Sequence, residues 1–292
     1  MKKEISGFIS YLKVDRGYSS NTQLAYEKDL SSFYQFITLS GVSKWSEVST
    51  EQINAWVMKL RHQQINPKSI KRSMSTLRSF FSYLVNSGFL EVNNAKKIST
   101  PKTDQALPKT ITYSEIELLT RKFNNSWKEL RDIAIIEVMY SSALRVSELV
   151  GLDFSDIDYG QGFLKIFGKG SKYRYSPIGE KAITALKRYA DSINAYDGAV
   201  FLSNLNKRIS ARTVQNMIKN RAQKVGIKSN VHPHMLRHAA ASHFLQSSHD
   251  LRSVQKMLGH ESIKSTQVYT HLDYLELSKV YDQFHPRAKK VT

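Results

Sequence analysis

Four residues in the last third of the chain have side chains that could together break a phosphodiester bond. Tyr269 follows His260 by nine positions, and a tyrosine hydroxyl can attack phosphorus when positive groups surround the non-bridging oxygens. His234 and Arg237 stand three positions apart. On a helix that starts near Pro233 they share a face and can address one phosphate. The reaction also requires an acid for the leaving oxygen.

Two further cations lie earlier in the chain. Arg145 lies between two apolar helical stretches that should bury its stem, although an arginine in such a place usually snorkels or pairs with an acid such as Glu148. Lys169 lies between two glycines at the top of a predicted β-turn, where it has reach and little steric hindrance. The turn does not fit a nucleotide-binding P-loop, because the glycine spacing is wrong and Gly170 follows the lysine. An ordinary basic hairpin remains the alternative.

The histidines of this region also raise the question of a metal site. His234 and His238 stand four positions apart, and His243 is nearby. However, the chain has no cysteine, no carboxylate lies close by in this segment, and His260 lacks the second histidine of a zincin motif. We therefore expect no metal and no cofactor. Histidines satisfied in the core or at the surface remain the other interpretation.

The charge balance indicates a polyanionic partner. The chain has 43 Lys and Arg against 25 Asp and Glu, a formal net charge of +18 and a pI near 9.8, so nucleic acid is the leading candidate. The excess is +7 in residues 1–108 and +11 in residues 109–292. A membrane surface is less favoured, because no run of about 18 apolar residues and no signal segment is present. With no cysteine, we expect a cytoplasmic protein.

Residues 1–90 predict a domain of four helices, because apolar residues recur there at helical spacing. Cap-like residues at Ser20 and Ser49 precede two of the stripes, and Gly88 closes the last. The fourth helix carries basic side chains that could reach the phosphates or bases of DNA. These are Lys68, Lys71, Arg72 and Arg78.

Residues 91–108 predict a linker, since apolar periodicity is lost and two prolines appear, Pro101 and Pro108. Residues 109–292 predict a second domain in which helical stripes surround a short β segment at 163–167 and its return at 173–175. The expected fold is therefore mainly α, with two domains and a small antiparallel sheet in the second.

Several separated motifs resemble the tyrosine recombinases of the phage integrase family, and among them the bacterial Xer recombinases. The resemblance spans nearly the whole chain and rests on Asn21–Leu30, Leu144–Leu149, Gly168–Gly170, His234–His238, Leu258–His260 and Thr266–His271. The tail at Val280–Lys289 resembles the C-type Xer proteins more than the D-type. Ala143 departs from the family, which usually has glycine before Leu-Arg, and a methyl group should be tolerated there if the backbone is helical.

The resemblance implies a SAM-like helical domain that binds DNA, a mixed α+β catalytic domain, and a set of groups that hold the scissile phosphate. Arg145 and Arg237 would clamp the phosphate with bidentate hydrogen bonds that strengthen as charge builds on the oxygens. His260 would hydrogen-bond a non-bridging oxygen. The two arginines would take over the charge role that a metal fills in other phosphoryl-transfer enzymes.

The resemblance assigns the proton transfers and the attack to three other residues. Tyr269 would be the nucleophile, and an arginine-rich site would favour its phenolate. His234 would help to move the proton of that hydroxyl, and Lys169 would protonate the leaving 5′ oxygen. The product would be a 3′-phosphotyrosyl link, which a 5′ hydroxyl from another duplex can reverse without ATP.

The resemblance also implies partners and a cellular role. Two basic domains would clamp duplex DNA, and four protomers would assemble around two duplexes, with the segment Tyr274–Tyr281 docked on a neighbour. A C-type protein would act with a D-type Xer recombinase at a dif-like site, resolving chromosome dimers and plasmid multimers under a septal DNA translocase. A type IB topoisomerase and a catalytically silent DNA-binding protein are the alternatives.

Overall fold

The computed structural model describes residues 1–98, 110–167, 173–259 and 271–288, with the side chains of 271–276 and 278 excepted. The chain divides into two compact units, residues 1–107 and residues 108–292. No helix among the described residues is long and apolar enough to cross a membrane.

The first unit contains the four helices that the apolar stripes predict. They are α1 (Lys2–Val14), α2 (Ser20–Leu39), α3 (Thr50–His62) and α4 (Pro67–Asn86). Ser49 caps α3 with a reciprocal capping box, and Pro67 occupies the first turn of α4. Aromatic side chains fill the space between the helices, with Trp45 edge-on to Phe80 at a centroid distance of 4.8 Å.

The beginning of the predicted linker packs on the first unit. Residues Asn94–Lys97 form a 3-10 helix, and the side chains of Ala95 and Ile98 are buried in the core of that unit. Arg78 of α4 donates to the carbonyl oxygens of Ala95 (3.3 Å) and Ile98 (2.7 Å), so the chain is tied down to residue 98. Residues 99–108 of the predicted linker lie outside the described residues.

The second unit surrounds a central helix with helices and a small sheet. Its helices are α5 (Tyr113–Thr120), α6 (Trp127–Ser142), α7 (Val146–Gly151), α8 (Glu180–Ile193), α9 (Ala211–Lys224), α10 (Pro233–Ser248), α11 (Leu251–Leu258) and α12 (His271–Phe284). The central helix is α6, whose second half is buried on every face. A helix that is buried all round anchors the elements that pack against it.

The sheet of the second unit is antiparallel, with the order β1 (Ile157–Asp158), β2 (Phe163–Phe167) and β3 (Tyr173–Pro177). Strands β2 and β3 form the hairpin that the sequence predicts around the Lys169 turn. In this hairpin Ile166 lies opposite Arg174 and Leu164 opposite Ser176. These four side chains share the buried face of the sheet, because side chains alternate between faces along a strand.

Helix α12 packs within its own unit. Leu277 and Tyr281 are buried in the core of the second unit, and the Tyr281 hydroxyl lies 2.6 Å from Oγ of Ser141 on α6. Beyond the helix, buried Arg287 pairs with Glu137, the Nε to Oε2 distance being 3.1 Å. Of the segment expected to dock on a neighbouring protomer, Leu277 and Tyr281 therefore lie in the core of their own chain.

Candidate active site

The break between α6 and α7 places Arg145. Helix α6 ends at Ser142, and Ala143 follows in a left-handed conformation at φ 47° and ψ 39°. The backbone at Ala143 is therefore not helical, so the condition under which its methyl group was expected to be tolerated is not met. Arg145 is the residue that caps α7, and its side chain keeps 38% of its surface exposed.

Arg237 connects three separate segments of the second unit. It lies in the second turn of α10, is buried, and donates from Nη1 to the carbonyl oxygen of Ala143 (2.5 Å) and from Nη2 to that of Leu258 (2.6 Å). Burial lowers the pKa of Arg237 to about 10, and the positive charge of Arg145 acts in the same direction. The side chain remains charged at neutral pH in a place that disfavours the charge, so an anion there would be bound favourably.

Glu148 joins the arginines into one cluster. Its Oε1 accepts from Nη1 of Arg145 (2.8 Å), and its Oε2 accepts from Nη2 of Arg174 (2.8 Å) and lies 3.7 Å from Nη1 of Arg237. Burial alone would raise the pKa of Glu148, but the charge of Arg174 and the hydrogen bonds of Arg145 hold it below its usual range. Three guanidinium groups face one carboxylate, so the cluster carries a net charge of +2.

His234 lies on the helix that carries Arg237, three residues nearer to its start, and is exposed. The two side chains lie on one side of α10, as their spacing predicts. His232 caps the helix through its Nδ1, which accepts from the backbone N–H of Met235 at 3.3 Å. Burial lowers the pKa of His232, and the nearby His234 lowers it further.

Three of the predicted catalytic residues lie outside the described residues. They are Lys169, His260 and Tyr269. The structure thus brings Arg145 and Arg237 to one carboxylate and places His234 on the helix of Arg237. For the other three it gives only the points at which the described chain stops, at Phe167 and Tyr173 around Lys169 and at Gly259 before His260.

In the sequence, Glu148 stood out only as an ion-pair partner for Arg145, and Arg174 was not singled out. Arg174 lies in the run Tyr173–Pro177, where it points to the buried face of the sheet together with Ser176. An arginine on the inward face of a strand requires a buried acceptor. This alternation was the signal that could have found it.

The basic residues of α4 divide into two groups. Lys68 and Lys71 are exposed and engage no acid among the described residues. Arg72 makes a bidentate pair with Asp29, at 3.0 and 2.8 Å, and Arg78 is half-buried against backbone carbonyl groups. The two lysines are therefore the side chains of this set most available to a polyanion.

Comparison with known proteins identifies the family. Residues 109–276 match the phage integrase family, and residues 5–88 match the phage integrase N-terminal SAM-like domain. The chain belongs to the phage integrase family. The resemblance drawn from the motifs and the predicted fold class are both confirmed, since the SAM-like domain is the helical first unit and the small sheet lies in the second.

Relatives of nearly full length narrow the class further. The chain is 41% identical over 293 residues to "Tyrosine recombinase XerC" of Serratia marcescens, with 99% of this chain and 97% of the relative covered. It is 41% identical over 290 residues to the protein of the same name from Escherichia coli O157:H7 (strain EC4115 / EHEC), with 98% and 97% covered. The chain is accordingly a site-specific tyrosine recombinase, an enzyme that cleaves and rejoins DNA strands.

Solved structures share the fold. A lambda integrase (75-356) dimer bound to a COC' core site matches with a TM-score of 0.71 and 17% identity, covering 100% of this chain and 99% of that one. The Tn1549 transposon integrase (aa 82-397, Y379F) in complex with transposon right end DNA matches with a TM-score of 0.73 and 16% identity, covering 94% and 97%. At this identity the likeness shows the fold.

Proposed function

We propose that Arg145 and Arg237 hold the scissile phosphate of duplex DNA while Tyr269 attacks it. The observation that supports this most is the cluster in which Arg145, Arg237 and Arg174 face the single carboxylate of Glu148 and leave a net charge of +2. A bound phosphodiester carries one negative charge and offsets part of this positive charge. As the reaction proceeds, charge accumulates on the non-bridging oxygens, and the hydrogen bonds from the guanidinium groups strengthen.

The proton transfers belong to the remaining candidates. Tyr269 loses its proton with the help of His234 and forms a bond to phosphorus, while the bond from phosphorus to the 5′ oxygen breaks. Lys169 delivers a proton to that oxygen, and His260 donates to a non-bridging oxygen. The products are a 3′-phosphotyrosyl ester and a 5′ hydroxyl. A second 5′ hydroxyl reverses the step, so neither ATP nor a metal is needed.

The substrate that we propose is a specific recombination site in duplex DNA. The lambda integrase and Tn1549 integrase structures are complexes with DNA, and a lambda integrase tetramer has been solved on a Holliday junction. By analogy, four protomers bind two duplexes, and the exposed Lys68 and Lys71 of α4 contact phosphates. Residues 1–90 and 109–292 are two DNA-binding domains that clamp the duplex, and the linker at 91–108 joins them.

The cellular role that we propose is resolution of chromosome dimers, and of plasmid multimers, at a dif-like site in the cytoplasm. The support is the naming of relatives that cover nearly the whole chain as XerC. In this role the chain forms a heterotetramer with a D-type Xer recombinase and is controlled by a septal DNA translocase. The test is recombination between two candidate dimer-resolution sites, with and without a second recombinase of the same host. Product in neither reaction would count against the role.

Covalent capture on a nicked duplex tests the chemistry. Wild-type protein should form a protein–DNA adduct that survives denaturation, because the nick lets the short 5′ product diffuse away. Tyr269→Phe should bind the same DNA and form no adduct. Tyr196→Phe is the control, since this exposed tyrosine of the second unit bonds only to Asp191 among the described residues. An adduct formed by Tyr269→Phe would remove Tyr269 from the role.

A further inference from the structure

Arg174 is a buried arginine of β3 that the proposed chemistry does not use. Its side chain is 8% exposed, and its Nη2 donates to Oε2 of Glu148 at 2.8 Å. The strand that carries it begins directly after the turn of Lys169 and pairs residue for residue with β2. Arg174 is thus the described cation that connects the hairpin to the acid shared by Arg145 and Arg237.

The same side chain lies against the end of α11. Gly259 is left-handed, at φ 62°, and a Cβ atom added there would lie 2.6 Å from Nε and 2.7 Å from Cδ of Arg174. These distances are far inside van der Waals contact, so the position requires glycine both for its backbone conformation and for its neighbour. Arg237 binds the carbonyl oxygen of the preceding residue, Leu258, at 2.6 Å. Two arginines therefore fix the end of α11, and the chain continues from that point to His260 and Tyr269.

The position of Arg174 also determines which cations the Glu148 carboxylate contacts. Oε2 of Glu148 receives hydrogen bonds from Nη2 of Arg174 and from the backbone N–H of Arg145, both at 2.8 Å, and stays 3.7 Å from Arg237. Without Arg174, this oxygen loses its guanidinium hydrogen bond, and Arg237, at 3.7 Å, is a cation toward which it can move. A carboxylate drawn to Arg237 would compete with the phosphate for its donors, because both are anions that guanidinium groups bind in the same way.

We propose that Arg174 is a positioning residue for strand cleavage. It holds the Glu148 carboxylate away from Arg237 and packs against the turn at Gly259, so that the phosphate-binding arginines and the end of α11 keep a fixed geometry. The inference rests on the proposed function, because it concerns the same phosphate site. It adds a residue that acts through Glu148 and Gly259.

The first test compares Arg174→Met and Arg174→Lys with the wild-type protein. Adduct formation on the nicked duplex should slow by roughly 10- to 100-fold in Arg174→Met, because a small misplacement of the reacting groups has effects of that size. The dissociation constant for DNA should change by less than about threefold, since most of the affinity comes from other phosphate contacts. Arg174→Lys keeps the charge but loses the fork, so it should recover part of the rate.

Arg221→Met is the matched control. Arg221 is another buried arginine of the second unit, it pairs with Glu129 at 3.0 Å, and it donates to the carbonyl oxygens of Leu119 and Arg121. Its replacement should lower the thermal unfolding midpoint yet leave the cleavage rate of the folded protein unchanged. A rate that falls in both methionine variants in proportion to lost stability would reduce Arg174 to a structural residue and overturn the inference.

A double-mutant cycle with Glu148→Gln shows whether Arg174 acts through that acid. If it does, Arg174→Met should slow cleavage much less in the Glu148→Gln background than in the wild-type background. Equal effects in both backgrounds would overturn the inference.

If Arg174→Met does not fold, the same cycle is measured with Arg174→Lys. Failure of the wild-type protein to form an adduct on its own site would count against the proposed function, whereas a normal rate in Arg174→Met would overturn this inference alone.

Discussion

The backbone conformation of Ala143 could not be predicted from the sequence. Its left-handed conformation is required because the chain must leave α6 at once and bring the Ala143 carbonyl group to Arg237. A positive φ at a residue other than glycine is uncommon, and nothing in an alanine side chain indicates it. The apolar stretches on either side of Ala143 do form the helices α6 and α7.

Glycine should be tolerated far better at position 143 than inside α6. The left-handed conformation costs an L-residue about 1–2 kcal/mol, which Ala143→Gly removes. Ala134→Gly is the control, because Ala134 is equally buried but lies inside the helix, where glycine costs about 1 kcal/mol and the lost methyl group adds to it. In urea unfolding, we expect Ala143→Gly to be at least about 1 kcal/mol less destabilising than Ala134→Gly. Equal losses would show that Ala143 is unstrained.

The acid side of the pH profile should report on Glu148. Because its folded pKa is lowered, this carboxylate contributes stability above the ordinary glutamate pKa, and the contribution is lost as the pH falls through the lowered value. Arg174→Met removes the cation that lowers this pKa most, so the loss of cleavage activity at acid pH should begin at a higher pH than in wild type. The measurement is the adduct rate against pH. An acid limb that does not move, or that moves equally in the Glu148→Gln background, would contradict this assignment.

Arg145 and Arg174 differ in how far the sequence could lead to them. The partner of Arg145 lies three residues away on the next helical turn, and the spacing alone suggested Glu148. Arg174 reaches the same acid from 26 residues further along the chain, through the pairing of β2 with β3. Alternation along β3 could have indicated a buried charge, but the identity of its partner depends on packing that no sequence spacing encodes.

At the scale of elements, apolar periodicity predicted the four helices of the first unit and the hairpin of the second. It predicted the helices well because each stripe faces a single core and because α2, α3 and α4 each follow a residue whose side chain caps the helix, such as Ser49 before α3. The arrangement of α12 was less accessible. Its apolar residues suit the core of its own chain and the surface of a neighbour equally, and only the packing of Leu277 and Tyr281 decides between them here.

The tail beyond α12 should contribute strongly to the stability of a single chain. Arg287 is almost fully buried and pairs with buried Glu137, so Arg287→Met should lower the free energy of unfolding by about 3–5 kcal/mol, because it leaves a buried carboxylate without its cation. Arg252→Met, on the exposed face of α11, should change it by less than about 0.5 kcal/mol.

The concentration dependence of this effect distinguishes the two arrangements of α12. If the helix and tail pack within one chain, the unfolding midpoints of wild type and Arg287→Met should not depend on protein concentration. Midpoints that rise with concentration in the wild type would show that the tail is held by a second chain. That result would support the neighbour docking expected from the family resemblance.

On helix α4, Lys68 and Lys71 face solvent, whereas Arg78 stabilises the fold. Lys68→Ala and Lys71→Ala should each weaken DNA binding and reduce the slope of log affinity against log salt concentration by about 1. Arg78→Met should lower the thermal midpoint, because it frees the carbonyl groups of Ala95 and Ile98, and should leave that slope unchanged. An unaltered slope in the lysine variants would remove α4 from the DNA interface.

For the whole molecule, composition was a sound guide to the kind of partner and a poor guide to the reaction. A net charge of +18 predicts a polyanion. The proposed reaction instead depends on Arg145 and Arg237, which lie in separate segments and which, together with Arg174, only the fold of the second unit gathers around Glu148. Sequence motifs could identify the family because they contain the residues that the fold brings together.

Mapping the protein–DNA adduct tests the central claim most directly. The covalent complex formed on a nicked duplex labelled on either side of the cleavage point is digested with trypsin and then with nuclease, and the modified peptide is sequenced by mass spectrometry. We expect the residual nucleotide on Tyr269, within the peptide that runs from Ser265 to Lys279, joined through its 3′ phosphate. A nucleotide on Tyr274 of the same peptide, on any other residue, or joined through a 5′ phosphate would contradict the account.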